Sequence, residues 1–151
     1  MPFSLCAGDV LPRLRFRSRD GREMDSWDLR QRRSLLILAV RPEGPSVQLL
    51  RELAAGAPEL DWFEVSVWVL AADSAACGIP LPASWNVVSC PQPANLPGNG
   101  NAAVLVDRFG VVYAAWKEPD MAAADILQTV SLMAAECPEC GGRLWQDLPG
   151  S

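Results

Sequence analysis

Apolar and polar positions along the chain alternate between two periods, and the changes between them mark out the elements. Ser34-Leu35-Leu36-Ile37-Leu38-Ala39-Val40 is a continuous apolar run, which predicts a buried strand. A tight turn over Pro42-Glu43-Gly44-Pro45-Ser46 follows, and a helix from Ser46 to about Ala55 is predicted, ending near Gly56 and Pro58. Phe63 to Leu70 reads as the next strand, with Val65, Val67 and Val69 on one face and Trp68 on the other. Earlier in the chain, Arg13-Leu14-Arg15-Phe16-Arg17-Ser18 has period two, with Leu14 and Phe16 inward and the arginines outward. Asp20-Gly21 supplies a hairpin turn and Glu23-Met24-Asp25 the return strand. Ser26-Trp27-Asp28-Leu29 is predicted to cap a helical turn.

The second half begins with an irregular stretch, residues 73–101, punctuated by five prolines and three glycines and interrupted by a short strand at Trp85-Asn86-Val87-Val88. Ala103-Val104-Leu105-Val106-Asp107 and Val111-Val112-Tyr113-Ala114-Ala115 flank Arg108-Phe109-Gly110 as a second hairpin. A last helix runs from Met121 to about Ala135 with Asp120 as N-cap, its apolar stripe including Ile126, Leu127, Val130, Met133 and Ala134. Hairpin, βαβ, loop, hairpin and terminal helix together predict a mixed α/β sheet with a helix on each side.

Composition narrows the class. The 151 residues are one domain's worth of chain, and 50% apolar with 21% charged is the balance of a soluble globular protein. No apolar run approaches membrane-spanning length, so no membrane insertion is expected. Met1-Pro2-Phe3-Ser4-Leu5-Cys6 lacks the basic and apolar regions of a secretion signal, and a cytoplasmic location is expected. The net charge of −5 conceals an asymmetry: eight arginines oppose five acidic residues up to Arg33, a local +3, and the remainder carries −8. The alternation of Arg13 to Arg19 reads as the solvated face of a strand. With an acidic remainder and no interleaved exposed aromatics, nucleic acid is not an expected ligand.

Two motifs carry a family resemblance. Ala7-Gly8-Asp9-Val10-Leu11-Pro12, followed by a strand and Asp20-Gly21-Arg22, resembles the opening of alkyl hydroperoxide reductase/thiol-specific antioxidant (peroxiredoxin-like) proteins. Val104-Leu105-Val106-Asp107-Arg108-Phe109-Gly110-Val111-Val112-Tyr113 resembles their late strand and its Ile-Asp-Arg-x-Gly-x-Ile turn. The similarity spans about residues 6–135. It implies a thioredoxin-like three-layer α/β fold, a mixed central sheet flanked by helices with an N-terminal β-hairpin. Residues 1–136 would form that domain and residues 137–151 a C-terminal tail.

At the site of that fold the chain departs from the pattern. A thioredoxin-type site holds Trp-Cys-Gly-Pro-Cys at the junction of strand and helix, where the helix N-terminus favours thiolate. The matching positions here are Pro42, Glu43, Gly44, Pro45 and Ser46. The peroxidase pattern Pro-x-x-x-Thr/Ser-x-x-Cys finds Pro42, Ser46 and then Leu49 in place of the cysteine. The cis-proline before the late strand is replaced by Asn101 or the alanine beside it, where a trans peptide is expected because a cis bond without proline costs about 2.5–4 kcal/mol. The inherited site therefore reads as degenerate.

Five cysteines remain. Cys137-Pro138-Glu139-Cys140-Gly141-Gly142 looks like one knuckle of a zinc ribbon or rubredoxin site. The chain has no histidine, so a complete tetrahedral site needs two of Cys6, Cys77 and Cys90, or a pair from a second subunit. A reversible disulfide between Cys137 and Cys140 and a pair of reduced thiols in a tail turn are the other readings. Cys90, beside Pro91, is a candidate lone reactive thiol, although no histidine activates it; Cys77, Cys90 and Cys6 otherwise read as small packed hydrophobes, Cys6 against the first hairpin. Trp116 and Trp145 are the candidate interface anchors.

Function follows from these departures. The expectation is a non-catalytic or weakly redox-active domain serving as a protein-binding accessory subunit, in a larger complex or a homodimer. It carries no cofactor, or a structural zinc at Cys137/Cys140. The alternatives are a thiol–disulfide oxidoreductase or peroxidase using Cys137/Cys140 or Cys90, and a metal-knuckle assembly domain.

Overall fold

The computed structural model describes residues 5–18, 21–40, 45–71, 80–89, 102–118 and 120–136. Strands β1 (Arg15–Arg17) and β2 (Glu23–Asp25) form an antiparallel hairpin in which Phe16 faces Met24. A 3-10 turn over Ser26–Leu29 follows. Its cap is Asp25 rather than Ser26: the Asp25 carboxylate accepts the backbone N–H of Trp27 at 3.0 Å, while the Ser26 hydroxyl accepts that of Leu14 at 2.8 Å. Ser26 is thus used to fasten the hairpin to the segment before it.

β3 (Ser34–Val40) leads to α1 (Pro45–Ala55), α2 (Ala57–Trp62) and β4 (Val65–Ala71). α2 is an addition to the sequence reading, which ended the helix near Gly56 and Pro58. Pro58 falls within the first turn of the new helix, where its missing N–H would have no intrahelical partner anyway. Gly56 separates the two helices, and Leu127 passes directly over it: a Cβ there would stand 2.7 Å from Leu127 Cδ1.

β5 (Asn86–Ser89), β6 (Ala102–Val106), β7 (Val112–Lys117) and α3 (Ala123–Glu136) complete the chain. α3 starts two residues after the predicted Met121, so Asp120 lies outside the capping position. Its backbone N–H donates instead to the Lys117 carbonyl at 2.9 Å, in the turn that leaves β7.

The five-stranded sheet has the order β5-β4-β3-β6-β7, with β3 parallel to β4 and antiparallel to β6. Side chains alternate between its faces. Leu36, Leu38, Val40, Val65, Val67, Val69, Ala103 and Leu105 pack with Leu49, Leu50, Leu53, Leu60, Ile126, Val130 and Met133 of the three helices. Leu35, Ile37, Trp68, Leu70, Val104 and Val106 pack with Leu5, Leu11, Leu14 and Met24 of the N-terminal segment and hairpin. The sheet is flanked as expected, but among the described residues all three α-helices lie on one face. The hairpin, with Leu14 buried and Phe16 edge-on to Trp68 at 6.3 Å between ring centroids, forms the layer on the other.

The turn between β6 and β7 is tied from inside. Asp107 Oδ1 accepts the backbone N–H groups of Phe109 and Val111 at 2.9 and 3.0 Å, and Gly110 takes φ +83°. The Arg108 guanidinium donates to the Gln31 carbonyl at 2.7 Å, anchoring this turn to the segment before β3. Replacing Gly110 by Ala forces an L-residue into the left-handed region, which costs about 1–2 kcal/mol. The added Cβ also meets Arg30 Nε at 2.9 Å, a flexible side-chain end that can withdraw. Chemical denaturation of Gly110→Ala should show that loss, and the loss should persist in an Arg30→Ala background because its origin is the backbone.

Candidate functional site

The start of β6 lies beside the end of β3, where Ala39 pairs with Ala102, and α1 is the next described element after β3. α1 opens at Pro45, whose fixed φ suits a first helical position, and Ser46 is the second residue of the helix. The helix N-terminus is therefore where the sequence put it, one residue earlier. Leu49, the position of the thiol in the peroxidase pattern, is a buried residue of the helix-side core. Glu43, Gly44 and Asn101 lie outside the described residues.

The candidate thiols are dispersed in the sequence, and most also fall outside the described residues: Cys77, Cys90, Cys137 and Cys140 do so, as does Trp145. Cys6 is described and corrects its expectation. It is exposed, and Leu5 takes the buried place against the hairpin-side core. The cause is a turn: the Cys6 N–H donates to Asp9 Oδ2 at 2.8 Å, the Asp9 N–H returns to the Cys6 carbonyl at 3.0 Å, and Gly8 takes φ +95°. Beyond this turn, Gly8 to Leu11 run along the start of β7, with Val10 opposite Val111.

β7 is the edge strand on this side of the sheet, and its later residues line a shallow groove. Tyr113, Ala114, Ala115, Trp116 and Lys117 form one wall, and Leu5, Cys6 and Ala7 the other. Trp116 is half-buried, packed against the helix-side core while lining this groove. The Tyr113 hydroxyl donates to Glu136 Oε2 at 2.6 Å, joining β7 to the last residue of α3. Burial first, and the Glu136 carboxylate second, push the Tyr113 phenol up to about 12.

A surface that sequence reasoning passed over lies on the hairpin side. Trp27, with 48% of its surface exposed, has the Arg13 guanidinium 4.3 Å from its ring centroid and that of Arg30 at 5.4 Å. Arg13 is held in place by Asp25, accepting from Nε at 3.0 and 3.1 Å. The hydrogen bond from Arg13 draws the Asp25 carboxyl down to about 2. Trp27, Asp28, Arg30, Gln31 and Arg32 together line a shallow depression. The signal was present in the sequence as a tryptophan between basic runs, but its outward orientation depends on the 3-10 turn.

Among the described residues no cluster of three acidic or thiol side chains is placed to hold a metal ion, and no helix is long and apolar enough to cross a membrane.

Similarity to known proteins is structural. No protein-family model matches the chain, and no curated protein does. A reduced 2-Cys peroxiredoxin from Plasmodium vivax superposes with a TM-score of 0.72 at 13% identity, over 88% of this chain and 84% of that one. A PrxQ variant from Xylella fastidiosa gives 0.69 at 14% identity, covering 87% of this chain and 98% of its own. A thiol:disulfide interchange protein from Bacteroides sp. gives 0.65 at 14%, covering 87% and 91%. The fold is thioredoxin-like, and the resemblance to peroxiredoxin-like proteins holds at the level of fold.

The chain contains a single tyrosine, so the junction between β7 and α3 can be read directly. Ultraviolet titration of the phenol should place Tyr113 near pH 12, against its ordinary 10.0 once unfolded. A folded value raised in this way adds stability that is complete below pH 10 and lost as pH rises toward 12. Glu136→Gln should lower the midpoint while leaving it above 10, because burial, the larger cause, remains.

Proposed function

We propose that this chain is a protein-binding accessory domain built on a redox fold whose inherited thiol position has been given up. The observation that carries this reading is α1: it begins at the expected junction with Pro45 and Ser46, and a buried Leu49 occupies the alternative thiol position. A helix N-terminus favours thiolate, but neither a serine nor a leucine forms a mixed disulfide.

Binding is assigned to a protein partner, either a second copy or a different chain in a larger complex. Trp27, clasped by Arg13 and Arg30, suits an acidic protein surface, since aromatic and arginine anchors dominate interface energetics. Trp116 at the groove beside β7 and Trp145 in the tail are further anchors. The cytoplasm remains the proposed location, with no nucleic acid or membrane insertion in the function.

The second reading is a thiol–disulfide oxidoreductase or peroxidase using Cys137/Cys140 or Cys90. It draws support from the named structural neighbours, which are peroxiredoxins and a thiol:disulfide interchange protein. Assays separate the two. The purified chain should neither consume hydroperoxide nor reduce insulin disulfides through residues 43–46. Turnover abolished by Ser46→Ala, with all five cysteines intact, overturns the degenerate-site reading; turnover abolished only by Cys90→Ser, or by Cys137→Ser and Cys140→Ser, establishes the second one.

The partner contact should be salt-sensitive, because exposed charges are screened beyond about 10 Å at 0.1 M salt. With the partner in hand, Trp27→Ala should weaken binding by at least about 30-fold, the effect of an interface anchor. A strictly monomeric chain with no stable partner at low salt removes the basis for the binding role.

A further inference from the structure

We propose that the end of the sheet around the β6–β7 turn is the docking surface for an acidic segment of a protein partner, one in which carboxylates flank an apolar side chain. This rests on the protein-binding reading and adds where the partner sits and what it presents. The turn follows Val106, which pairs with Leu35 at the start of β3, whereas β3 leaves toward α1 from its other end. At about 3.3 Å per residue, Leu35 and Ala39 stand roughly 13 Å apart, so this surface is separate from the inherited site.

Large apolar side chains are exposed at this end. Trp27 stands on the 3-10 turn, Phe109 lies 46% exposed in the β6–β7 turn, and Val10, 63% exposed, lies opposite Val111. Arg30 bridges the two turns. Its guanidinium lies 5.4 Å from the Trp27 ring centroid, and its Nε is 2.9 Å from where a Cβ on Gly110 would stand. Glycine at 110 thus leaves room for Arg30 to lie across the turn. Backbone groups fix the arrangement: the Leu11 N–H donates to the Gly110 carbonyl at 2.8 Å, and the Arg108 guanidinium to the Gln31 carbonyl at 2.7 Å. Scattered singly, exposed apolar residues need no explanation; grouped around an arginine, they have the composition of an interface centre.

Charge selects the occupant. Asp25 is bound to Arg13 and lies 3.4 Å from Arg15. Asp107 spends Oδ1 on the Phe109 and Val111 N–H groups. Asp28 lines the Trp27 depression, and its charge bears on Arg13. Arg30 and Arg32, which line the same depression, form no ion pair among the described residues. Guanidinium groups bind carboxylates through paired hydrogen bonds, so two unneutralised arginines beside an apolar patch match carboxylates beside an apolar side chain. Nucleic acid matches less well. The Trp27 ring is already covered by Arg13, 4.3 Å from its centroid, where a base would stack.

Fluorescence anisotropy of the full chain with a labelled peptide, Glu-Asp-Leu-Phe-Asp-Glu, tests the assignment. The peptide should bind at low salt, and its Kd should rise at least about tenfold between roughly 0.02 and 0.5 M salt, as screening shortens the reach of exposed charges. Gln-Asn-Leu-Phe-Asn-Gln, without charge, and Glu-Asp-Ser-Ser-Asp-Glu, without an apolar centre, should each bind at least about tenfold more weakly. Arg30→Ala and Arg32→Ala should each weaken binding about fivefold or more, and so should Phe109→Ser and Val10→Ser, which leave the charge unaltered. All four positions are exposed, so the variants should keep the circular dichroism of the unaltered chain. Arg17→Ala, an exposed position opposite Glu23 at the far end of the hairpin, should bind as the unaltered chain does. No binding of the peptide at low salt, equal losses in Arg17→Ala and Arg30→Ala, or unaltered affinity in both Phe109→Ser and Val10→Ser would each overturn the proposal. Tighter binding of a single-stranded oligonucleotide of similar charge would do the same. The binding role is judged separately: a native partner whose affinity ignores Arg30→Ala and Phe109→Ser overturns this docking site and leaves the role standing.

Discussion

Everything in this molecule is arranged around a strand that cannot tolerate water on either side. β3 sends Leu36, Leu38 and Val40 to one face and Leu35 and Ile37 to the other, all nearly fully buried. Its backbone is saturated by a parallel neighbour on one edge and an antiparallel neighbour on the other. Burying both faces of such a strand requires two covers of different origin. The connection from β3 to β4 is a crossover, which delivers α1 and α2 to one face, and α3 returns to the same side. The other face is closed by the hairpin and the N-terminal segment, whose Leu5, Leu11 and Leu14 supply the apolar side chains. The basic hairpin is thus a structural lid as well as a charged surface. That explains why its arginines alternate so strictly with apolar residues: one register serves the core and the other serves solvent.

The degree to which this was legible depended on whether the deciding physics was local. β3 was readable to the residue because six apolar residues in a row, Leu35 to Val40, admit few other fates, and the Asp107 to Gly110 turn because aspartate and glycine there have specific backbone tasks. α2 was not, because proline was taken as a stop when it sits in a first helical turn. The absence of a side chain at Gly56 answers to Leu127, seventy-one positions downstream, and no local rule contains that contact. Cys6 was misplaced by one residue for a similar reason: the apolar residue that the core required was Leu5, and the Asp9 turn rotates its neighbour outward. Trp27 was visible as a residue but not as a surface, since its exposure follows from Asp25 rather than Ser26 holding the turn. Of the inherited site, the strand–helix junction was legible, while Glu43, Gly44 and Asn101 stay expectations from sequence.

Loss of sulfur at a helix N-terminus changes what that terminus can do without changing the fold. Its unpaired N–H groups still favour negative charge within the first turn. That bias belongs to the helix backbone and does not depend on which side chain stands in the first turn. Helix, sheet and hairpin are held by burial of their apolar faces. Leu49, in the first turns of α1, is part of that buried core.

At the β7 edge two local contacts decide the geometry: the Tyr113–Glu136 hydrogen bond joins α3 to the strand, and the Asp9 turn sets Cys6 in the groove that the strand lines. Burial moves the Tyr113 phenol further above its ordinary value, so its hydroxyl remains a donor well into the alkaline range. Both arms meet at an edge strand, the part of a sheet whose backbone groups are not all consumed by the ladder. Here the edge is closed partly by the N-terminal segment, and the remaining groove sets the exposed Cys6 among residues that include Tyr113 and Trp116.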